Sequence, residues 1–299
     1  MESLYNSWLQ DHLEIHVFVA DLLTIDADWV FRNSPLGHWR LYHNDKDGAQ
    51  LHFRREIFPL QKNRVYILPA GLRFTTSCQG EVEHFFVHFN VAGLPDLALR
   101  TLFRHPHALA PSPVLDVLVA ELKSELRDDV VLRGKVLYRE DGVFGRRSGD
   151  VTLQWRLKSA VYEALSLCVR SATPSQTAAG WEFAHEIQPL VAALRFIEEN
   201  LSLDLNNAFL AEMCGFSRHH FIRVFHASMK KTPAVYIRER RLAEASRLLL
   251  FSEQNIETIA KNTGFCDRAH LSRTFKAFYG VSPANYRVST HGTLIETKT

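Results

Sequence analysis

The stretch Ala260-Lys261-Asn262-Thr263-Gly264-Phe265-Cys266-Asp267-Arg268-Ala269-His270-Leu271-Ser272-Arg273-Thr274-Phe275 decides how this chain is read, because it occurs twice. The earlier copy runs Ala211-Glu212-Met213-Cys214-Gly215-Phe216-Ser217-Arg218-His219-His220-Phe221-Ile222-Arg223-Val224-Phe225. Ala211 matches Ala260 and Gly215-Phe216 matches Gly264-Phe265, at an offset of 49. One additional residue then moves the offset to 50, at which Arg223 matches Arg273, Phe225 matches Phe275, Pro233 matches Pro283 and Tyr236 matches Tyr286. A correspondence over about 25 positions with one slip marks an internal repeat rather than chance.

Each copy has the pattern of a helix-turn-helix. A short apolar-periodic helix is expected over Leu205–Met213 and again over Ile256–Thr263, each closed by a glycine, Gly215 or Gly264, that can take a positive φ. Ser217 stands where an N-cap belongs, and Asp267 is its candidate counterpart across the inserted residue. The second helix of each copy then turns Phe221, Val224 and Phe225, or Leu271, Thr274 and Phe275, inward. Its other face carries Arg218, His219, Ile222 and Arg223, or Arg268, Ala269, Ser272 and Arg273. That mixture suits a helix in the DNA major groove, where arginine pairs with guanine edges and small side chains meet thymine methyls. Two helical hairpins with solvated basic faces would explain one copy equally well, but not a pair at this spacing. Between the copies, Pro233 to Ser252 holds one helical pattern without a breaker. It amounts to about 17 helical residues, a rod of about 26 Å.

The pair of motifs, and above all Ile259-Ala260, Gly264-Phe265, Leu271-Ser272-Arg273-Thr274-Phe275-Lys276 and Phe278-Tyr279-Gly280-Val281-Ser282-Pro283-Ala284-Asn285-Tyr286-Arg287, resembles the AraC/XylS family of bacterial transcription regulators. The resemblance covers roughly residues 185–290. It departs from the family pattern at Cys266, where serine is commoner, and at Leu271 after His270, where phenylalanine is. It implies two helix-turn-helix units joined by a long helix, reading successive major grooves on one face of double-stranded DNA. Carried over residue by residue, the DNA-binding positions are Arg218, His219, Ile222, Arg223, Arg268, Ala269, Ser272 and Arg273, with Arg223 and Arg273 the principal base contacts.

The whole chain of 299 residues is long enough for two domains, and 46% apolar against 23% charged residues is an ordinary globular composition. No apolar run nears the roughly 18 residues that span a bilayer, and the polar N-terminus does not read as a signal peptide. Cys78, Cys168, Cys214 and Cys266 form no C-x-x-C pair, as in a reducing cytoplasm. The net charge of +2 hides an asymmetry: residues 185–299 carry 15 Lys and Arg against 11 Asp and Glu, and residues 1–184 carry 20 against 22. The positive excess lies with the repeat, as phosphate contact requires.

Residues 15–110 alternate as β-strands do. In Val82–Asn90, Val82, His84, Phe86, His88 and Asn90 share one face, with Glu83, Phe85, Val87 and Phe89 on the other. Leu51–Phe53 and Val65–Leu68 read as further strands, with turns at Asn44–Gly48, Pro69-Ala70-Gly71 and Gln79-Gly80 spaced as in a small barrel or jelly roll. Two amphipathic helices follow, at about 113–127 and 151–170, with the polar segment Asp128–Asp150 between them as a long loop. The expected fold class is therefore α+β. Residues 1–172 form an effector-binding and dimerisation domain, 173–184 a linker (Ser171–Gly180 has a linker's composition), 185–290 the DNA-binding domain and 291–299 a tail. The N-terminal part resembles the cupin-like effector domain of the same family, whose helices here often form a dimer interface. Trp39-Arg40-Leu41-Tyr42-His43-Asn44 and Tyr66-Ile67-Leu68-Pro69-Ala70 are similar to a sugar-sensing branch.

Enzymatic cupins bind a metal through two histidines one residue apart, a glutamate and a later histidine. Here His38, His43 and His52 are five and nine positions apart and form no H-x-H pair, and His84 and His88 lie about 13 Å apart along a strand, too far to share an ion. Metal, cofactor and catalysis are therefore not expected. An organic-ligand pocket lined by Tyr42, His43, Asn44, His52, Arg73, His84 and His88 is expected instead, with a small sugar or polyol as effector. A regulator whose β-domain only dimerises, and a cupin-type metalloenzyme, are the alternatives. Expected partners are double-stranded DNA, the effector, a second copy of the chain and, for an activator, RNA polymerase; no membrane is involved.

Overall fold

The computed structural model describes residues 15–30, 38–53, 55–91, 99–100, 102–128, 151–252 and 254–287. Of the loop expected at Asp128–Asp150, Asp128 ends a helix and residues 129–150 lie outside the described residues, as does the tail at 291–299. The N-terminal half is antiparallel: β1 (Ile15–Ile25), β2 (Trp39–Asn44), β3 (Ala49–Phe53), β4 (Glu56–Pro59), β5 (Val65–Leu68), β6 (Phe74–Cys78), β7 (Val82–Val91) and β8 (His107–Ala108). They make one sheet in the order β1-β7-β2-β5-β8 and another in the order β4-β3-β6. The sheets face each other as an open sandwich, and no ladder pairing joins them into a closed barrel among the described residues.

The larger sheet is buried on both faces. Ile25, Tyr42, Tyr66, Leu68, Val82 and Phe86 point towards the small sheet and meet Leu51, Phe53 and Phe74. Trp39, Leu41, Ile67, Phe85, Val87 and Phe89 point the other way, onto α1 (Pro113–Asp128) and α2 (Val151–Arg170) through Leu115, Val119, Leu122, Leu157 and Val161. A sheet covered on both sides needs apolar residues at successive positions, which is why Val65–Leu68 is buried throughout. Arg156 fastens the two helices, with Nη1 2.7 Å from Glu125 and Nη2 2.7 Å from Glu121.

The stretch with a linker's composition is helical. Helix α3 spans Pro174–Ile187. Its start carries a reciprocal capping box: Thr173 Oγ1 accepts from the Gln176 N–H at 3.2 Å, while Gln176 Oε1 accepts from the Thr173 N–H at 2.9 Å. Pro174 in the first turn loses no amide partner. Gln176 Nε2 donates to the Leu102 carbonyl of the β-half, and Ser228 Oγ donates to the Glu186 carbonyl near the other end. The expected linker between the two halves is thus a helix tied at both ends.

The C-terminal half follows a short 3-10 turn, Gln188–Leu190, with α4 (Val191–Glu199), α5 (Asn207–Met213), α6 (Arg218–Met229), α7 (Pro233–Phe251), α8 (Ile256–Asn262) and α9 (Arg268–Tyr279). It has two cores that share α7. Tyr236 and Ile237 join Leu210, Phe221 and Phe225. Leu242, Ala245 and Leu249 join Ile259, Leu271 and Phe275. Repeat-related pairs make repeat-related contacts: Phe225 and Tyr236 have ring centroids 5.6 Å apart, and Phe275 and Tyr286 5.1 Å. No helix among the described residues is long and apolar enough to cross a membrane.

Candidate nucleic-acid interface

Each helix-turn-helix is built by caps and a left-handed glycine. In the first, Asn206 Oδ1 accepts from the Ala208 and Phe209 N–H groups, and Gly215 takes φ 69° to end α5. Ser217 Oγ then accepts from the His220 N–H to open α6. In the second, Asn255 Oδ1 caps α8, Gly264 turns at φ 75°, and Asp267 Oδ1 accepts from the His270 N–H at 2.6 Å. The inserted residue therefore lengthens the turn and is absorbed before the cap, leaving α6 and α9 equal at 12 residues. His220 packs edge-on against Phe216, and His270 against Phe265, so the turn is braced alike in both units.

Arg218, His219 and Arg223 on α6, and Arg268, Ala269 and Arg273 on α9, are exposed on the faces turned away from the two cores. Ser272 is half-buried, and Ile222 packs partly on the first core, so a structural share accompanies its outward position. Arg223 Nη2 donates to His220 Nδ1 at 3.1 Å. The two units sit at opposite ends of α7, whose 19 residues give about 28 Å. Arg241 and Arg287 anchor this geometry without touching the outer faces. Arg241 Nε and Nη2 donate to the Leu201 and Leu203 carbonyls, and Arg287 donates to the Leu249 and Gln254 carbonyls.

The ligand-site candidates of the β-half separate into groups. Tyr42, Asn44, His84 and His88 lie together inside the sandwich: Asn44 pairs with His84 and Arg40 with His88 across β2 and β7. Asn44 Oδ1 and His84 Nδ1 are 2.7 Å apart, and the Tyr42 and His84 rings 4.6 Å. Burial, then the nearby His43, pushes the His84 pKa down to about 3. His43 belongs to the opposite face of β2, because neighbours on a strand point oppositely. There burial, then the Lys123 charge, lowers its pKa to about 4. His52 lies outside the small sheet, with Nε2 2.7 Å from Ser77 Oγ. Arg73 lines a cleft of about 650 Å³ between the two halves, with Arg100, Arg104, Glu182 and Lys230. Hence His43, His52 and Arg73 do not join the interior cluster. Arg40 and His38 do, at 1% and 3% exposure, and sequence reading missed them because arginine is rarely buried. Among the described residues, no group of three or more His, Cys, Asp or Glu is placed to hold a metal ion.

A family described as a helix-turn-helix domain matches residues 210–289. An uncharacterized HTH-type transcriptional regulator of Haemophilus influenzae is 35% identical over 284 residues, covering 85% of this chain and 91% of the relative. The multiple antibiotic resistance protein MarA of Escherichia coli is 33% identical over 96 residues, 32% of this chain and 76% of MarA. In fold, the crystal structure of ToxT from Vibrio cholerae aligns over 91% of this chain and 97% of its own, with a TM-score of 0.52 at 13% identity. With paired helix-turn-helix units, outward arginines on both second helices and a near full-length relative among HTH-type regulators, the chain belongs to the AraC/XylS family of bacterial transcription regulators.

Proposed function

We propose that one protomer reads two successive major grooves through α6 and α9. Arg223 and Arg273 make the principal base contacts, with Arg218, His219, Ile222, Arg268, Ala269 and Ser272 around them. The observation that carries this reading is two capped, outwardly cationic helices of equal length at the ends of one helical rod. The rod's roughly 28 Å, extended by the width of each unit, approaches the roughly 34 Å turn of B-DNA. Hydroxyl-radical footprinting on a selected site tests it. One protomer protects about 17–20 base pairs in two blocks about 10 base pairs apart. A single block per protomer overturns the two-groove reading.

The regulator acts in the cytoplasm as a homodimer, engages RNA polymerase where it activates, and carries out no catalysis. Residues 1–172 bind the effector and dimerise, and residues 185–290 bind DNA. Exposed Val114 and Val117 on α1, with Val151, Trp155 and Tyr162 on α2, support the helix pair as the dimer contact. The effector is a small organic molecule of sugar or polyol type, held inside the sandwich by Tyr42, Asn44, His84 and His88. Aromatic rings beside hydrogen-bonding groups in one enclosed cluster support this reading. A thermal-shift screen with sugars and polyols tests it, since a ligand of the native state raises the melting midpoint.

A further inference from the structure

We propose that the sandwich interior takes its ligand through a carboxylate paired with the guanidinium of Arg40, which makes the effector a monocarboxylate. This rests on the reading that the effector occupies the sandwich. Arg40 lies on β2 opposite His88 of β7 and Leu68 of β5, on the same face as Tyr42 and Asn44. Neither its Nη1 nor its Nη2 has a hydrogen-bond acceptor among the described residues. The Phe74 ring across the sandwich faces it, with its centroid 5.0 Å from the guanidinium carbon. Asn44 Nδ2 is likewise buried without an acceptor among the described residues. The carboxylate on this face of β1 is Asp21, which stands opposite Phe86 with β7 between it and β2, and its Oδ1 accepts from the Leu22 N–H.

A buried guanidinium with nothing to receive its protons is costly, and native interiors rarely retain one without a use for it. The interior has donors in excess of acceptors, and its missing partner is acceptor-rich and negative. One fixed charge matches one negative charge, and the planar fork of two N–H groups matches the two oxygens of a carboxylate. A phosphate monoester dianion would keep a second charge uncompensated, because the neighbouring imidazoles add none. Burial, then the adjacent Arg40 charge, holds both His38 and His88 well below the usual histidine range. Within the sandwich water does not compete for the pair, so its electrostatic attraction is little screened.

The test uses the full-length protein, thermal shift and calorimetry, with D-glucuronate set against D-glucose, octanoate against 1-octanol, and glucose 6-phosphate alone. A carboxylate is expected to raise the melting midpoint while its neutral counterpart does not. Its affinity should fall at least about 30-fold in Arg40→Met, and by less in Arg40→Lys, which keeps the charge without the fork. Without any ligand, Arg40→Met is expected to melt about 2–4 °C above the parent, because the unpaired charge is gone. Glucose binding as well as glucuronate, or glucose 6-phosphate binding better, overturns the carboxylate and leaves the sugar reading standing. Octanoate acting where glucuronate does not supports the Arg40 pair and overturns the sugar reading instead. No response to either carboxylate, or an unliganded Arg40→Met that melts well below the parent, overturns the proposal.

Discussion

The two helix-turn-helix units share repeat-related contacts in their cores, Phe225 with Tyr236 and Phe275 with Tyr286, and differ at their joints. In the first, a Cβ added at Gly215 would meet nothing within 4 Å. In the second, a Cβ at Gly264 would run into the Leu201 carbonyl oxygen and the Arg241 guanidinium. That carbonyl also accepts from Arg241 Nε at 2.9 Å. The turn of the second unit is therefore packed against the loop after α4 and the middle of α7, whereas the first turn is open. The same motif serves in one copy as a local turn and in the other as a joint between the units.

Gly264→Ala sharpens this comparison most. It combines a positive φ with a collision against backbone, so a loss of about 3 kcal/mol or more is expected. Gly215→Ala has the φ cost alone, about 1–2 kcal/mol. Urea unfolding of both variants checks the difference, and equal losses would show that the close approach at Gly264 relaxes freely.

On DNA, Arg223→Ala and Arg273→Ala are each expected to weaken specific binding by about 1–3 kcal/mol and relax preference at a few base pairs. Arg223 is the one already bonded to an imidazole, His220, so its loss is expected to be the smaller. Titrations on a selected site and on random DNA measure both terms. Equal losses on the two DNAs would make these arginines phosphate contacts.

The caps come next. Asp267→Ala and Ser217→Ala should each cost about 1 kcal/mol of stability, with Asp267 the larger. Its bond to the backbone is shorter, 2.6 Å against 3.3 Å, and its charge faces the positive end of α9. Thermal unfolding resolves the pair, and a reversed order would break the assignment of Asp267 as the stronger cap.

The smallest effect concerns the residue that ends each second helix. Gly280 takes φ 82° without strain, but Lys230 holds φ 55° with a side chain, its Nζ donating to the Ala227 carbonyl. Lys230→Gly should stabilise the first unit by about 0.5–1 kcal/mol, measured by urea unfolding. Destabilisation would mean that the Nζ bond outweighs the backbone strain.

What the amino-acid sequence determined by itself is what short-range order encodes: the repeat, both glycine turns, the Ser217 and Asp267 caps, the helical rod and the alternation of β7. The turns, caps and periodic patterns each depend on residues within a few positions of one another, and the repeat is read by matching two stretches at an offset of 49 to 50, so spacing is enough to read them. The box Thr173-Pro174-Ser175-Gln176 was equally local, yet the small polar residues around it have a linker's composition, and composition does not count hydrogen bonds. Tertiary structure alone decided the rest. A sheet covered on both sides has no solvent-facing side, so burial along Trp39–Asn44 does not say whether Tyr42 or His43 looks into the sandwich. That is settled by which face meets the second sheet and which meets α1 and α2. The same packing sends His52 outward, places Arg73 in the cleft between the halves, and encloses Arg40. The burial of a charge depends on what surrounds it from distant parts of the chain, and spacing carries no record of that.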